Sequence, residues 1–290
     1  MSGTKKSILG ATLLAVGLMG GSGARAQAPQ QGTPPATNPA PGDKSQAPAQ
    51  PLTLDNAAPP VNAEEDAAIH AYREAPLTDV PKKLQMGEDF LTKYPNSRYR
   101  VEVLNWQVMG YSNTGQMEKM EAAGEKELSL EPNDAQTMAI MASALPRTMS
   151  NTMTAEQKAK ALADAEKFGK NALELVPTIP KPPGMTDEQF TIAKNQVQAM
   201  AYSGLGMVAF RRNKYAEAIP NLEQAVKYDP NPDPVNYLVL GICNEKASHF
   251  DDAISAFTKC AAIQSSLSAT CKTGIDEAKK LATTQLSVPK

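Results

Sequence analysis

Two stretches near the C-terminus decide the fold. Residues 201–230 read AYSGLGMVAFRRNKYAEAIPNLEQAVKYDP, and residues 236–260 read NYLVLGICNEKASHFDDAISAFTKC. When the first stretch is moved along the chain by 35 positions, large residues fall on large ones and small residues on small ones. Such self-similarity at a fixed spacing is typical of repeat architectures. The matched pairs are Tyr202 and Tyr237, Leu205 and Leu240, Gly206 and Gly241, Tyr215 and Phe250, Ala218 and Ala253, Leu222 and Phe257, and Ala225 and Cys260.

Each stretch has the pattern of two helices joined by a turn. Apolar residues recur at steps of three and four, which place them on one face of an α-helix. Gly206, Ala218 and Ala225 are small enough for the two helices to approach closely. Pro230 ends the second helix, because proline cannot continue the hydrogen-bond ladder. The pattern resembles the tetratricopeptide repeat. This resemblance implies an all-α protein, a right-handed α-solenoid of helix hairpins whose first helices (A) line a concave face.

Weaker copies of the unit precede the two clear ones. Counting back from prolines that end a second helix (B), we predict degenerate copies at about 63–97, 98–133 and 134–180. Clear copies follow at 199–232 and 234–265, and a capping helix at 267–284 covers the last apolar face, so that the solenoid occupies 61–285. In the second copy, Gly124 and Glu127 stand where apolar residues are expected. The third copy has a long inter-helix loop around 147–153, and a proline-rich insert at 178–186 precedes an over-long helix A that begins near Asp187.

The first sixty residues are expected to be an export signal and a linker. The order of features is that of a bacterial signal peptide: the positive Lys5 and Lys6, the apolar stretch 8–19, and the small residues Ala24 and Ala26. We predict that this signal peptide covers residues 1–26 and is cleaved after Ala26. The alternative is a retained membrane anchor, but an apolar run of about 12 residues is shorter than the roughly 20 needed to span a bilayer. Residues 27–60 are rich in Pro, Ala and Gln and are expected to be disordered, either as a spacer or as a passive tail. We therefore expect a periplasmic or secreted protein with no stable membrane insertion after cleavage.

The composition offers little material for catalysis. The formal net charge is −2, so no basic field for nucleic acid is present. His70 and His249 are far apart in a solenoid, and we expect solvated or capping roles for both. No nucleophile elbow, phosphate-binding glycine loop or paired-cysteine metal motif occurs. We predict no enzymatic activity, no cofactor and no metal; an enzyme site in the insert would have Asp187 and Glu188 but no partner group nearby.

The three cysteines carry a prediction of their own. Cys260 lies near the end of helix B in the last copy, and Cys271 occupies the first large position of the capping helix. In the architecture that the resemblance implies, helix B packs on the next helix, and thiols of exported proteins tend to pair. We predict a Cys260–Cys271 disulfide and a buried free thiol at Cys243. A redox-active role is the alternative, but no Cys-x-x-Cys spacing supports it.

The resemblance also implies a place for a partner. Tetratricopeptide proteins usually bind ligands along the inner faces of their A helices. Family members that hold a C-terminal carboxylate use Lys and Asn at positions where this chain has Met and Ser, so we expect contacts through apolar and aromatic side chains instead. The alternative is that the capping helix or a neighbouring copy covers the apolar residues. When the inner-face positions of the family are carried over to this chain one by one, they give a predicted groove. Its residues are Asn105, Met109, Met207, Phe210, Arg211, Leu238, Ile242 and Lys246.

Two functions remain open from the sequence. The first is a non-enzymatic exported scaffold that binds a protein or peptide in the bacterial cell envelope through the concave face. The second is a structural or accessory subunit that is permanently docked in an envelope assembly. The identity of the partner and the oligomeric state are not encoded in any motif.

Overall fold

A computed structural model describes residues 62–286, and all regular structure in that range is helical. The predicted signal peptide and the whole of the predicted linker lie outside the described residues. The helices are α1 (Ala63–Glu74), α2 (Val80–Lys93), α3 (Arg100–Thr114), α4 (Met117–Leu130), α5 (Ala135–Ala144), α6 (Ala155–Leu175), α7 (Asp187–Arg211), α8 (Tyr215–Tyr228), α9 (Pro234–Lys246), α10 (Phe250–Ala262) and α11 (Ser268–Leu286).

Local sequence signals explain where the helices begin and end. Thr154 and Thr186 form capping boxes at the starts of α6 and α7, respectively. In each box, the threonine hydroxyl accepts a hydrogen bond from the backbone N–H of the third helical residue, a glutamine, and the glutamine side chain accepts one from the backbone N–H of the threonine. Asp233 caps α9, and Pro234 is its first residue, where the missing N–H costs nothing. Gly115 ends α3 with φ of 73°, a left-handed conformation that glycine adopts without strain.

The helices pack as a chain of antiparallel pairs. The pairs α3–α4, α5–α6, α7–α8 and α9–α10 are in extensive contact, and each A helix also lies beside the next, as α5 beside α7 and α7 beside α9. Close approach depends on small residues: a Cβ on Gly206 would lie 2.7 Å from Cγ of Leu222, so a larger residue would push α7 and α8 apart. This nearest-neighbour packing confirms the predicted α-solenoid.

Two departures from a regular solenoid affect the inner face. The loop between α5 and α6 extends from Leu145 to Thr154, and α7 begins at Asp187, about three turns before the residues that match the repeat. The structure therefore has the long loop and the long helix where the sequence predicts them. Within residues 62–286, no helix is both long and apolar enough to cross a membrane.

Candidate partner-binding surface

The charged residues of the predicted groove are exposed. Arg211 ends α7, and its Nε donates a hydrogen bond to the carbonyl oxygen of Pro146 at 3.0 Å. Lys246 ends α9, and its Nζ lies 3.8 Å from Oε1 of Glu245. Both side chains stand at the C-terminal ends of A helices, where the helix dipole favours positive charge. Because both side chains are exposed, a partner can contact them without any rearrangement of the chain.

The apolar residues of the predicted groove are mostly covered by their own neighbours. Met207 is only 3 % exposed and packs in the core beside Leu222, so it is not on the surface of the free chain. Leu238 and Ile242 are half-buried against a cluster of α10 and α11 residues that contains Phe257. The alternative prediction, that the capping helix covers these positions, therefore holds in part for Leu238 and Ile242. The remaining apolar members are also half-buried: Met109 lies against the core of α3, α4 and α5, and the Phe210 ring centroid is 6.2 Å from that of Tyr215.

Arg147, in the long loop between α5 and α6, occupies a polar pocket between α7 and α9. Its guanidinium forms an ion pair with Oδ2 of Asp233, and Nη2 donates to Oγ of Ser203 at 2.8 Å and to Oδ1 of Asn236 at 3.1 Å. The Ser203 hydroxyl also donates to Oδ1 of Asn236 at 2.7 Å. The other carboxylate oxygen of Asp233 accepts from the N–H of Val235 and so caps α9. We call Ser203, Asp233 and Asn236 the C-terminal pocket.

A second polar group, at positions that correspond to Ser203, Asp233 and Asn236, lies between α3 and α5. Nδ2 of Asn105 donates to Oδ2 of Asp134 and to Oγ1 of Thr137, both at 3.2 Å. Oδ1 of Asp134 accepts from the N–H of Thr137 at 2.6 Å and so caps α5, as Asp233 caps α9. Thr137 and Asn236 are each the third residue of their helix. We call Asn105, Asp134 and Thr137 the N-terminal pocket.

The buried carboxyl of Glu127 lies next to the N-terminal pocket. The residue is 0 % exposed, and its carboxyl lies beside the hydroxyl of Thr137, which favours the charged form. Burial, together with the charge of Asp134, raises the pKa of Glu127 to about 8. Burial likewise raises the pKa of Asp134, against the effect of its backbone hydrogen bonds. Glu127 stands five residues before Pro132, where the clear copy has Ala225 before Pro230, so its off-pattern position was visible in the sequence.

The sequence predicts an inner-face position for Asn105, but neither pocket was predicted from it. Alignment of the two repeats on their closing prolines reveals that the pockets correspond. Asn105 precedes Pro132 by the same number of residues as Ser203 precedes Pro230. A capping aspartate then follows each proline. The contact of Arg147 with Asp233 had no such signal, because it joins residues 86 positions apart.

The cysteines lie as the sequence predicts. Cys260 and Cys271 form a disulfide that joins α10 to α11, with the Cα atoms 5.9 Å apart. Cys243 is a buried free thiol in α9, and burial raises its pKa to about 12. A thiol in such surroundings is inert, because the reactive species is the thiolate.

The remaining titratable candidates form no catalytic arrangement within the part of the chain that the structure describes. His70 is exposed on α1 with Nδ1 3.4 Å from Oε1 of Glu74, and exposed His249 is the residue before α10. Asp187 is exposed at the start of α7 and pairs with Lys181 at 2.6 Å. Between residues 62 and 286, no group of three or more His, Cys, Asp and Glu residues has the arrangement of a metal site.

The fold and the repeated helix pairs define an α-solenoid of the tetratricopeptide class. A family model of the tetratricopeptide repeat matches residues 199–232, which lie in α7 and α8 and the segment that follows. That segment is thus a tetratricopeptide repeat by sequence as well as by structure. A comparison with curated protein sequences matched none of them.

Solved structures that resemble the chain include PilW, TTC0263 and MamA. PilW, titled a widely conserved type IV pilus biogenesis factor, has 15 % identity and a TM-score of 0.52, with 77 % of this chain and 89 % of PilW covered. TTC0263, a thermophilic TPR protein of Thermus thermophilus, has 16 % identity and a TM-score of 0.45 over 74 % of this chain and 96 % of its own. A double mutant of MamA RS-1 has 16 % identity and a TM-score of 0.40 over 78 % and 99 %. At these identities the likeness to PilW describes the fold alone.

Proposed function

We propose that the chain is a non-enzymatic exported scaffold that binds a protein or peptide partner in the bacterial cell envelope along the inner faces of its A helices. The observation that carries this proposal is the side-by-side packing of α3, α5, α7 and α9, because it brings inner-face side chains of successive helices onto one continuous surface. An extended partner segment could contact several of these helices at once.

The residues available to a partner on this surface are polar as well as apolar. Arg211 and Lys246 are exposed, and Phe210, Leu238 and Ile242 each keep part of their surface open to solvent. We expect the exposed cations to contact the partner directly and the half-buried apolar groups to add contact area at its edge. Aromatic and arginine side chains are enriched in such interfaces.

Site-specific photo-crosslinking in living cells tests this proposal. A photoreactive amino acid at Arg211 or Lys246 should give one discrete adduct, whereas the same amino acid at exposed Glu223 of α8 should not. Export is assayed in the same cells, since the adduct should fractionate with the envelope. Adducts of equal yield at all three positions, or at Glu223 alone, would overturn the assignment of the surface.

A further inference from the structure

Three exposed cations stand at equivalent positions of three successive inner helices. Lys246 follows Arg211 by 35 residues, and Lys280 of the capping helix follows Lys246 by 34. All three side chains are exposed. The helices that carry them, α7, α9 and α11, lie side by side, because α9 contacts both of the others. The three cations therefore form a row across the inner face, which we call the cation row.

Helix packing confirms that the three positions are equivalent. Each cation stands six residues after a residue that packs against the preceding B helix. The packed pairs are Leu205 and Gly169 of α6, Leu240 and Leu222 of α8, and Gly274 and Phe257 of α10. The capping helix α11 thus takes the place of a further A helix, and it presents Lys280 on the side where α7 presents Arg211.

The chain does not neutralise the cation row. Within residues 62–286, neither end of the row forms an ion pair, and Nζ of Lys246 lies 3.8 Å from Oε1 of Glu245. The residue next to Arg211 differs, because Arg212 pairs with Glu166 of α6. The row is therefore open to carboxylates from outside the chain.

Helix dipoles explain only part of the row. Arg211 and Lys246 stand in the last turn of their helices, where the dipole favours a cation. Lys280 stands six residues before the end of α11, which is beyond the reach of that effect. The repeated cation is thus a property of this position on the inner face rather than of helix ends.

The row is positive although the chain as a whole is acidic. Lys279 adds a fourth cation, and the acids that flank the lysines on their own helices are Glu245, Asp276 and Glu277. Of these acids, Glu245 is half-buried. The formal net charge of the chain is −2, so the row opposes the charge of the chain that carries it. Charge complementarity therefore favours an acidic partner at this place.

The spacing of the row suits an extended segment. Neighbouring packed helices lie about 8–10 Å apart. A polyproline II segment advances about 3.1 Å per residue with three residues per turn, so side chains three positions apart lie on one side at a spacing of about 9 Å. Acidic residues at every third position would therefore each meet the cation of one helix.

We propose that the cation row binds an extended segment of the partner that carries Asp or Glu at every third position. The inference rests on the proposed function, since it specifies the chemistry of the partner on the same surface. Charge-assisted hydrogen bonds from the row to the carboxylates would anchor the segment. Phe210 and Ile242, half-buried on the same helices, would contact the residues between the acids. The segment needs no free chain terminus.

The test is isothermal titration calorimetry of the purified full chain at low salt with three acetylated and amidated peptides. The first is Glu-Pro-Pro-Glu-Pro-Pro-Glu, the second has Gln in place of each Glu, and the third has the three Glu side by side before the four Pro. We expect the first to bind with an affinity that falls as salt is added, and the second not to bind. The third should bind at least about threefold more weakly, because it cannot reach all three helices at once.

Variants of the chain locate the binding. Arg211→Gln, Lys246→Gln and Lys280→Gln together should weaken binding of the first peptide about tenfold, since each exposed ion pair contributes roughly two- to fivefold. The matched control changes one exposed lysine on each of three B helices and should leave the affinity unchanged. Its substitutions are Lys167→Gln in α6, Lys227→Gln in α8 and Lys259→Gln in α10.

The proposal is wrong if the Gln peptide or the clustered peptide binds as tightly as the first, or if no peptide binds at millimolar concentration. It is also wrong if the control variant weakens binding as much as the row variant. Retention of the chain by phosphatidylglycerol vesicles, lost in the row variant and without peptide binding, would assign the row to an anionic lipid surface instead. Photo-crosslinking at Arg211 depends on proximity and not on charge. A discrete adduct without peptide binding would thus overturn this inference and leave the proposed function standing.

Discussion

The guanidinium of Arg147 is ion-paired with the carboxylate of Asp233, 86 residues further along the chain. This pair ties the long α5–α6 loop to the first turn of α9, although α6, α7 and α8 intervene in sequence. In a solenoid whose repeats contact only their neighbours, such a link adds cooperativity between the third and fifth helix pairs. Through Arg147, the loop thus contacts both α7 and the start of α9.

The first prediction concerns this pair. The side chains of Arg147 and Asp233 are 28 % and 37 % exposed, so solvent screens their attraction, and we expect a coupling of only about 1 kcal/mol. The measurement is a double-mutant cycle of Arg147→Ala and Asp233→Asn by urea unfolding. The asparagine keeps the helix cap, so the cycle isolates the charge interaction. Strictly additive losses would mean that the loop is held by other contacts.

The second prediction concerns the pH dependence of stability. The pKa of Glu127 is about 8 in the folded chain, compared with about 4.5 for an unperturbed carboxyl. Between these values the folded state binds more protons than the unfolded state, so stability falls as pH rises. Glu127→Gln removes this penalty. We expect a gain in the free energy of unfolding that is small at pH 5 and reaches on the order of 2–5 kcal/mol at pH 8.

Urea unfolding at a series of pH values measures this effect. Glu125→Gln, at an exposed position of the same helix, is the control and should leave the pH profile unchanged. A residual slope is expected in the Glu127→Gln variant, because the pKa of Asp134 is also raised. A parallel profile for wild type and Glu127→Gln would show that Glu127 is hydrated or paired in solution.

The third prediction concerns the cysteines. The disulfide closes a loop between residues 11 positions apart, and its removal by Cys260→Ser plus Cys271→Ser should lower stability by roughly 2–3 kcal/mol. A thiol-specific reagent should find no reactive thiol in the native chain and one, Cys243, after denaturation without reductant. Two or more thiols in the denatured, unreduced protein would rule out the disulfide.

The fourth prediction concerns export. If residues 1–26 are a signal peptide, the protein recovered from the envelope fraction begins at Gln27, as N-terminal sequencing would show. Ala26→Leu should block cleavage, because the processing site requires a small residue, and should leave a larger, membrane-associated form. A full-length protein in the cytoplasm would contradict the expected location.

The helices were predictable because their signals are local. The spacing of apolar residues around Gly206 and Leu222, the closing Pro230 and the start of α7 at Asp187 are each set by residues close to them in the chain. What a residue packs against is a different matter. Met207 follows the pattern of an exposed A-helix position, but contact with α8 and α9 buries it. Likewise, the sequence marked Glu127 as unusual, while only the packing of α4 against α5 shows that its carboxyl is buried.

The central claim is that the partner binds the inner face, and a charge-reversal comparison tests it most directly. Once crosslinking has supplied the partner, its dissociation constant is measured for Arg211→Glu plus Lys246→Glu and for Lys227→Glu plus Lys259→Glu. Both variants change the net charge equally, the first pair at the ends of A helices and the second on B helices. The account predicts that the A-helix pair weakens binding about tenfold or more while the B-helix pair has little effect. Equal weakening by both, or a larger loss from the B-helix pair, would contradict it.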